Sequence, residues 1–275
     1  MTSPGDRVKL IATESERIKQ YLNTLPADAW SQPSACDAWE VRDVVAHLIG
    51  ATEMYTRNIS RGIRGDSSPP ESLPPTGAVD TAARMAANAQ RAIDFRESLG
   101  EQLLPTFVAK SDDLNQLLAG LGPQDWEKLC YHPARTIPVQ TFLNLAITEL
   151  VVHEWDIRSR LEPPAHLSEK SLPAIVDLIS VFVVGRLFQP GSKLTTTVRY
   201  RFELTGAVQG SHDIVVENGA ARMEPAGTAA ADVTFRCDTE TFVLLAYARI
   251  KFDTAVADGL ITVEGDRDLA TQFGQ

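Results

Sequence analysis

The chain has little cysteine, no surplus of positive charge and no long apolar run, and each shortage narrows what it is. Three cysteines in 275 residues, Cys36, Cys130 and Cys237, are odd in number and far apart. That excludes a disulfide framework and fits a reducing compartment, so a cytoplasmic location is expected. With 26 Lys and Arg against 36 Asp and Glu, the formal net charge is -10. Such a balance offers no clustered basic surface to nucleic acid or an anionic membrane, so neither is expected as a partner and a small molecule is. No stretch approaches about 20 uninterrupted apolar residues, and Met1 to Tyr21 lacks the apolar centre of an export signal, so neither a membrane span nor export is expected.

What is present points to two domains, since 275 residues exceed the usual single-domain size. Apolar residues recur at helical spacing from Asp6 to Leu22, ahead of Pro26, and Val41, Val44, Val45, Leu48 and Ile49 mark a second helix running towards Ser60. Gly65 to Gly77 holds four prolines and reads as a loop. A third helical region follows from about Val79 to Leu121, with a break expected near Gly100 or Pro105, and a fourth helix runs from Val139 to about Arg160. Leu25-Pro26-Ala27-Asp28-Ala29-Trp30 is echoed by Leu121-Gly122-Pro123-Gln124-Asp125-Trp126, each ahead of a polar loop and an apolar helix, as though two helical hairpins were related. Ser168 to Phe188 reads as a linking helix. Beyond Pro190 the texture changes to alternating strands at Leu194–Leu204, Asp213–Glu217, Ala231–Phe235 and Leu260–Glu264, with a turn at Glu217-Asn218-Gly219. Helices are expected at Thr239–Ala248, Asp253–Asp258 and from Asp266. The second domain is therefore α+β.

Glu149 and His153 stand four apart on the fourth helix, so their side chains leave one face about 5 to 6 Å apart. His47 lies in the otherwise apolar second helix, and an antiparallel pairing of the two helices would set it opposite them. Two histidines and a carboxylate make a three-ligand set with an open position, the arrangement of catalytic zinc. A Glu-x-x-x-His pair arises often by chance as a solvated helix face, and a single histidine is more often a hydrogen-bonded core residue. Against that, Glu149 and His153 sit among apolar neighbours, where an unpaired carboxylate is costly and a metal offsets its charge. Asp156 is either an acceptor orienting an imidazole or a partner for Arg158 or Arg160. Cys36 and Cys130 read as inert buried thiols, His132 as a loop histidine with a smaller chance of overhanging the site, and Trp30, Trp39, Trp126 and Trp155 as packing residues.

The run from Trp30 through Cys36 and Trp39 to His47-Leu48, together with Glu149-Leu150-Val151-Val152-His153-Glu154-Trp155-Asp156, resembles the mycothiol-dependent maleylpyruvate isomerase family of the DinB-like superfamily. Ala231 to Phe235, Thr239 to Ala248 and Ile261 to Asp266 resemble that family's sterol-carrier-like second domain. The resemblance implies a multidomain α and α+β protein: a DinB-like four-helix bundle over residues 1–162, then a small α+β sterol-carrier-like domain over 163–275 that includes the linking helix 168–188. It implies that His47, Glu149 and His153 bind a divalent metal, zinc first, that mycothiol is the thiol cosubstrate, and that Arg84, ahead of Arg91 and Arg96, meets an acidic substrate. The implied chemistry is a metal-activated thiolate used for cis-trans isomerisation or S-transfer on a small electrophilic or anionic substrate. A carrier of apolar ligands and a metal-dependent hydrolase are the alternatives. One departure concerns Glu40, which stands where the family has a Ser or Thr cap and weakens the expected start of the second helix.

Overall fold

A computed structural model describes residues 3–36, 38–71, 73, 75, 81–184, 194 and 196–273, with residues 81–86 described for their backbone alone. The chain divides into two compact units, Thr2–His166 and Leu167–Gln275.

The first unit is helical. Helix α1 (Pro4–Thr24) opens on Ser3, whose hydroxyl accepts the Asp6 N–H at 3.2 Å, and buries Ile11, Ile18 and Leu22 along one stripe. Helix α2 (Val41–Gly62) starts where the sequence placed it despite Glu40, because Asp43 reaches back and accepts the Glu40 N–H at 3.0 Å. The expected third region is two helices, α3 (Thr81–Leu99) and α4 (Leu103–Ala119), joined by a 3₁₀ turn at Gly100–Gln102. Gly100 is the break, at φ +52, while Pro105 lies in the first turn of α4, where its missing N–H has no carbonyl to serve. Helix α5 (Val139–Leu161) completes the unit. Helix α2 packs on α4 and α5, α1 packs on α5 and α4, and α3 lies against α2. The four-helix bundle is therefore α1, α2, α4 and α5.

The echo in sequence corresponds to a recurring local structure. Pro33 bridges Glu40 just before α2, and β1 (Leu129–Cys130) pairs antiparallel with β2 (Ile137–Pro138) just before α5. In each case the first helical N–H reaches back across the loop, Val41 to the Gln32 carbonyl and Val139 to the Lys128 carbonyl, both at 3.0 Å. Each closure fixes the start of a helix that carries candidate ligands.

The second unit begins with a 3₁₀ turn at Glu169–Ser171 and α6 (Leu172–Leu178), which continues as a π-helical turn at Ile179–Val183. The expected remainder of that helix, to residue 188, lies outside the described residues. Strands β3 (Val198–Thr205), β4 (Gly210–Glu217), β5 (Ala220–Pro225), β6 (Val233–Asp238) and β7 (Thr262–Gly265) form one sheet in the order β5-β4-β3-β6-β7, antiparallel except for the β3–β6 pair. Strand β5 was not legible in Ala220 to Pro225, which lacks β-branched residues. Its register follows from Asn218 and Gly219, both at positive φ, which close a two-residue hairpin. Along β3, Val198, Tyr200, Phe202 and Leu204 point into the core, while Arg199 and Arg201 on the other face clamp the fully buried Asp213 carboxylate at 2.7 and 2.8 Å. Helices α7 (Thr239–Ala246), α8 (Phe252–Ala257) and α9 (Arg267–Phe273) complete the unit. Each contributes a ring, Phe242, Phe252 and Phe273, to a cluster with Tyr200, Phe202 and Phe235 at centroid distances of 4.9 to 6.1 Å.

Candidate metal centre

Helices α2 and α5 pack against each other, and their contact brings His47 opposite Glu149 and His153. His47 Nε2 lies 3.0 Å from Glu149 Oε2, and His153 Nε2 lies 3.2 Å from the same oxygen. The two imidazoles meet edge-on at 4.8 Å between centroids. Side-chain exposure falls from 26% at Glu149 and 20% at His47 to 11% at His153 and 0% at Asp156, so the group opens to solvent on the His47–Glu149 side. Glu149 also borders a small cavity of about 10 Å³ lined by Ser15, Thr52, Tyr55 and Ser111, room for one water.

Asp156 takes the first of its two sequence readings. Its Oδ2 accepts from His153 Nδ1 at 2.8 Å, whereas Arg158 is engaged with Glu154 at 2.7 Å and Glu162 at 3.1 Å. His153 is thus flanked by carboxylates on both ring nitrogens. Burial disfavours its charge, but the bonds to Asp156, Cys36 and Glu149 outweigh burial and raise its pKa well above 6.5. For Glu149 burial works upward, and the neighbouring His47 and His153 overcome it, holding the carboxyl well below 4.5.

Three residues at this site were not among the sequence candidates for it. Trp39, taken as packing, stands over both imidazoles, at 5.0 Å from His47 and 6.3 Å from His153, and is fixed by its indole N–H donating to the Ala89 carbonyl at 3.2 Å. Cys36, taken as inert and buried, is half-exposed, with Sγ 3.0 Å from Asp156 Oδ2 and 3.8 Å from His153 Nδ1. Tyr55 was not singled out, yet its hydroxyl donates to Glu149 Oε1 at 3.3 Å. The signal for Tyr55 was available, because His47, Ala51 and Tyr55 fall four apart on one helix face. None existed for Cys36, which reaches the site through a loop.

The remaining candidates are elsewhere or engaged. Arg84 lies on α3, with its side chain outside the described residues; Arg91 bonds Asn88, and Arg96 pairs with Asp43 at 3.0 Å. His132 is buried, its Nδ1 accepting the Ala134 N–H at 3.1 Å and its ring packed on Phe142 at 6.0 Å, which suits a loop brace rather than an acid or base. Cys130 is fully buried, and burial pushes its thiol up to about 11. Among the described residues no helix is long and apolar enough to cross a membrane.

No curated protein sequence matches the chain at a significant level. Among solved structures, the crystal structure of the mycothiol-dependent maleylpyruvate isomerase is similar over 96% of this chain and 93% of that one, with a TM-score of 0.62 at 13% identity. A variant of that isomerase with a histidine replaced by alanine gives a TM-score of 0.61 at 12% identity, with the same coverage of 96% and 93%. These likenesses establish the fold. Sterol carrier protein 2-like 2 from Aedes aegypti matches 38% of this chain and 94% of its own length at 19% identity, with a TM-score of 0.28. Residues 11–158 match the family model of the mycothiol maleylpyruvate isomerase N-terminal domain, and residues 192–275 match that of the SCP-2 sterol transfer family. Most of the helical unit, including His47, Glu149 and His153, thus lies within a family match spanning more than half of the chain, and the protein belongs to the mycothiol maleylpyruvate isomerase N-terminal domain family, with an SCP-2 family domain following it.

Proposed function

We propose that this chain is a metal-dependent, mycothiol-dependent enzyme that performs cis-trans isomerisation or S-transfer on a small electrophilic or anionic substrate, with His47, Glu149 and His153 holding the metal. The supporting observation is at His153, where each ring nitrogen faces a carboxylate, Glu149 on Nε2 at 3.2 Å and Asp156 on Nδ1 at 2.8 Å. A neutral imidazole has one N–H, so the second nitrogen carries either an extra proton or a metal. Nε2 is the nitrogen that converges with His47 Nε2 on Glu149, while Nδ1 keeps its hydrogen for Asp156. The donor set of two imidazoles and a carboxylate suits zinc.

When bound, a divalent metal here supplies a Lewis acid that holds a small-molecule thiol as its thiolate near neutral pH. The chain's own residues prepare the place for it. Asp156, fully buried, fixes the tautomer and plane of His153. Tyr55 holds Glu149 Oε1, which turns Oε2 towards the histidines. Trp39, buried and tilted against both imidazoles, gives that side of the site an apolar wall, beside which electrostatic interactions are less screened. The resemblance to the isomerases implies an arginine of α3 for the acidic end of a substrate, and we keep Arg84 for that role ahead of Arg91, bonded to Asn88, and Arg96, paired with Asp43.

The test is turnover of maleylpyruvate by purified protein with mycothiol, before and after exhaustive chelation. The proposal expects activity that needs both thiol and metal, and an electrophile consumed stoichiometrically with thiol if S-transfer is the reaction. Full thiol-dependent turnover after metal removal would overturn it, and metal-dependent turnover without thiol would favour hydrolysis. The SCP-2 family match over 192–275 favours a second reading, carriage of an apolar ligand. That role predicts a lipid co-purifying with the protein and binding that survives His47→Ala.

A further inference from the structure

Cys36 lies at the other nitrogen of His153, where a second group of ligand atoms forms. Cys36 Sγ, His153 Nδ1 and Asp156 Oδ2 all lie within 4.8 Å of one another, as do the ligand atoms of His47, Glu149 and His153. The thiol is 3.0 Å from Asp156 Oδ2 and 3.8 Å from Nδ1. The loop that delivers it is pinned to α5 and closed on itself: the Ala35 N–H donates to the Asp156 main-chain carbonyl at 2.8 Å, the Cys36 N–H donates to Ser34 Oγ at 3.1 Å, and the Trp39 N–H donates to the Cys36 carbonyl at 2.7 Å. Cys36 is therefore held beside a fully buried carboxylate while keeping partial access to solvent.

We infer that Cys36, His153 and Asp156 form a second metal position, selective for cations softer than zinc such as Cd²⁺, that excludes occupancy of the His47–Glu149–His153 position. A thiolate, an imidazole nitrogen and a carboxylate are a mixed set in which sulfur prefers softer ions, whereas the first group offers nitrogen and oxygen alone. Exclusion follows from the ring they share. A metal at Nδ1 leaves the neutral ring's single hydrogen on Nε2 instead of Nδ1 and releases the thiol proton of Cys36 to solvent. That nitrogen then donates to Glu149 Oε2, 3.2 Å away, and no longer has a lone pair for the first position. A metal at Nε2 has the converse effect, leaving Nδ1–H to Asp156. The geometry thus assigns the chain two alternative ions of different softness and one histidine that decides between them.

The second position stands on its own geometry, whereas the exclusion rests on the proposed metal at His47, Glu149 and His153, and the experiment separates the two. Metal-free full-length protein is titrated with Cd²⁺, following the ultraviolet thiolate-to-cadmium charge-transfer band and bound metal by equilibrium dialysis, in wild type, Cys36→Ser and His47→Ala, with Glu149→Gln in reserve if His47→Ala fails to fold. The expected result is one Cd²⁺ per chain with the band in wild type, the same band in His47→Ala, its loss in Cys36→Ser, and no second ion when Zn²⁺ and Cd²⁺ are offered together. A band that survives Cys36→Ser would place the sulfur at Cys130 or Cys237 and overturn the inference. A band lost in His47→Ala would make Cys36 a fourth ligand of the first group, and Cd²⁺ bound without a band, or not at all, would refute the second position. Two ions per chain would refute the exclusion.

Discussion

Replacing Asp156 by asparagine removes the charge that His153 Nδ1 faces at 2.8 Å without changing the size of the side chain. Metal affinity should fall by about 10- to 100-fold, read by competition with a chromophoric chelator, because outer partners of ligating imidazoles set both their orientation and basicity. The pH dependence of the metal-free protein follows from the same residues. His153 has a folded pKa raised above 6.5, so its contribution to stability is fully present below pH 6.5 and fades as pH rises through the folded value. Glu149 has a folded pKa lowered below 4.5, so its contribution is present above pH 4.5 and is lost as pH falls through the depressed value. Thermal unfolding of metal-free protein should therefore show the pair's stabilisation between these limits and its decline on the alkaline side, a decline absent from His153→Ala. At this scale the sequence carried the two imidazoles, Glu149 and Asp156, because helical spacing fixes which side chains share a face. It did not carry Cys36 or Trp39, whose places are set by loop closure and by ring packing across helices.

Helix α2 ends against β1, the first strand of the loop before α5. A Cβ built on Gly62 would meet Cys130 Sγ and would lie 2.7 Å from the Leu129 carbonyl oxygen, which cannot yield as a side chain end can. Gly62→Ala should destabilise the protein by about 1–3 kcal/mol by overpacking, measured as a lower urea midpoint at unchanged slope. The bundle helices were legible because their apolar stripes repeat over 17 or more residues, as in α1, α2, α4 and α5. The break at Gly100 was legible as a choice between two breakers, and Gly100 won because a glycine at φ +52 ends a helix while a proline in the first turn does not. Strand pairs β1–β2 of two residues each were too short for any periodicity to register.

The chain joins a helical bundle of the mycothiol maleylpyruvate isomerase N-terminal domain family to an SCP-2 family unit whose interior holds a cluster of six aromatic rings. Composition pointed to a small-molecule partner, and the order of textures along the chain, helical and then alternating, carried the α then α+β organisation. Substrate identity was not legible, since it depends on groups around the open side of the site rather than on ligand spacing. The central claim rests on His47, Glu149 and His153 acting together on one ion. Elemental analysis of protein purified without chelator or nickel resin, for wild type beside His47→Ala and His153→Ala, tests it most directly. About one equivalent of divalent metal in wild type, lost in both variants while their circular dichroism stays native, is the predicted result. Wild type holding no metal, and neither binding added Zn²⁺ nor melting higher with it, would contradict the account.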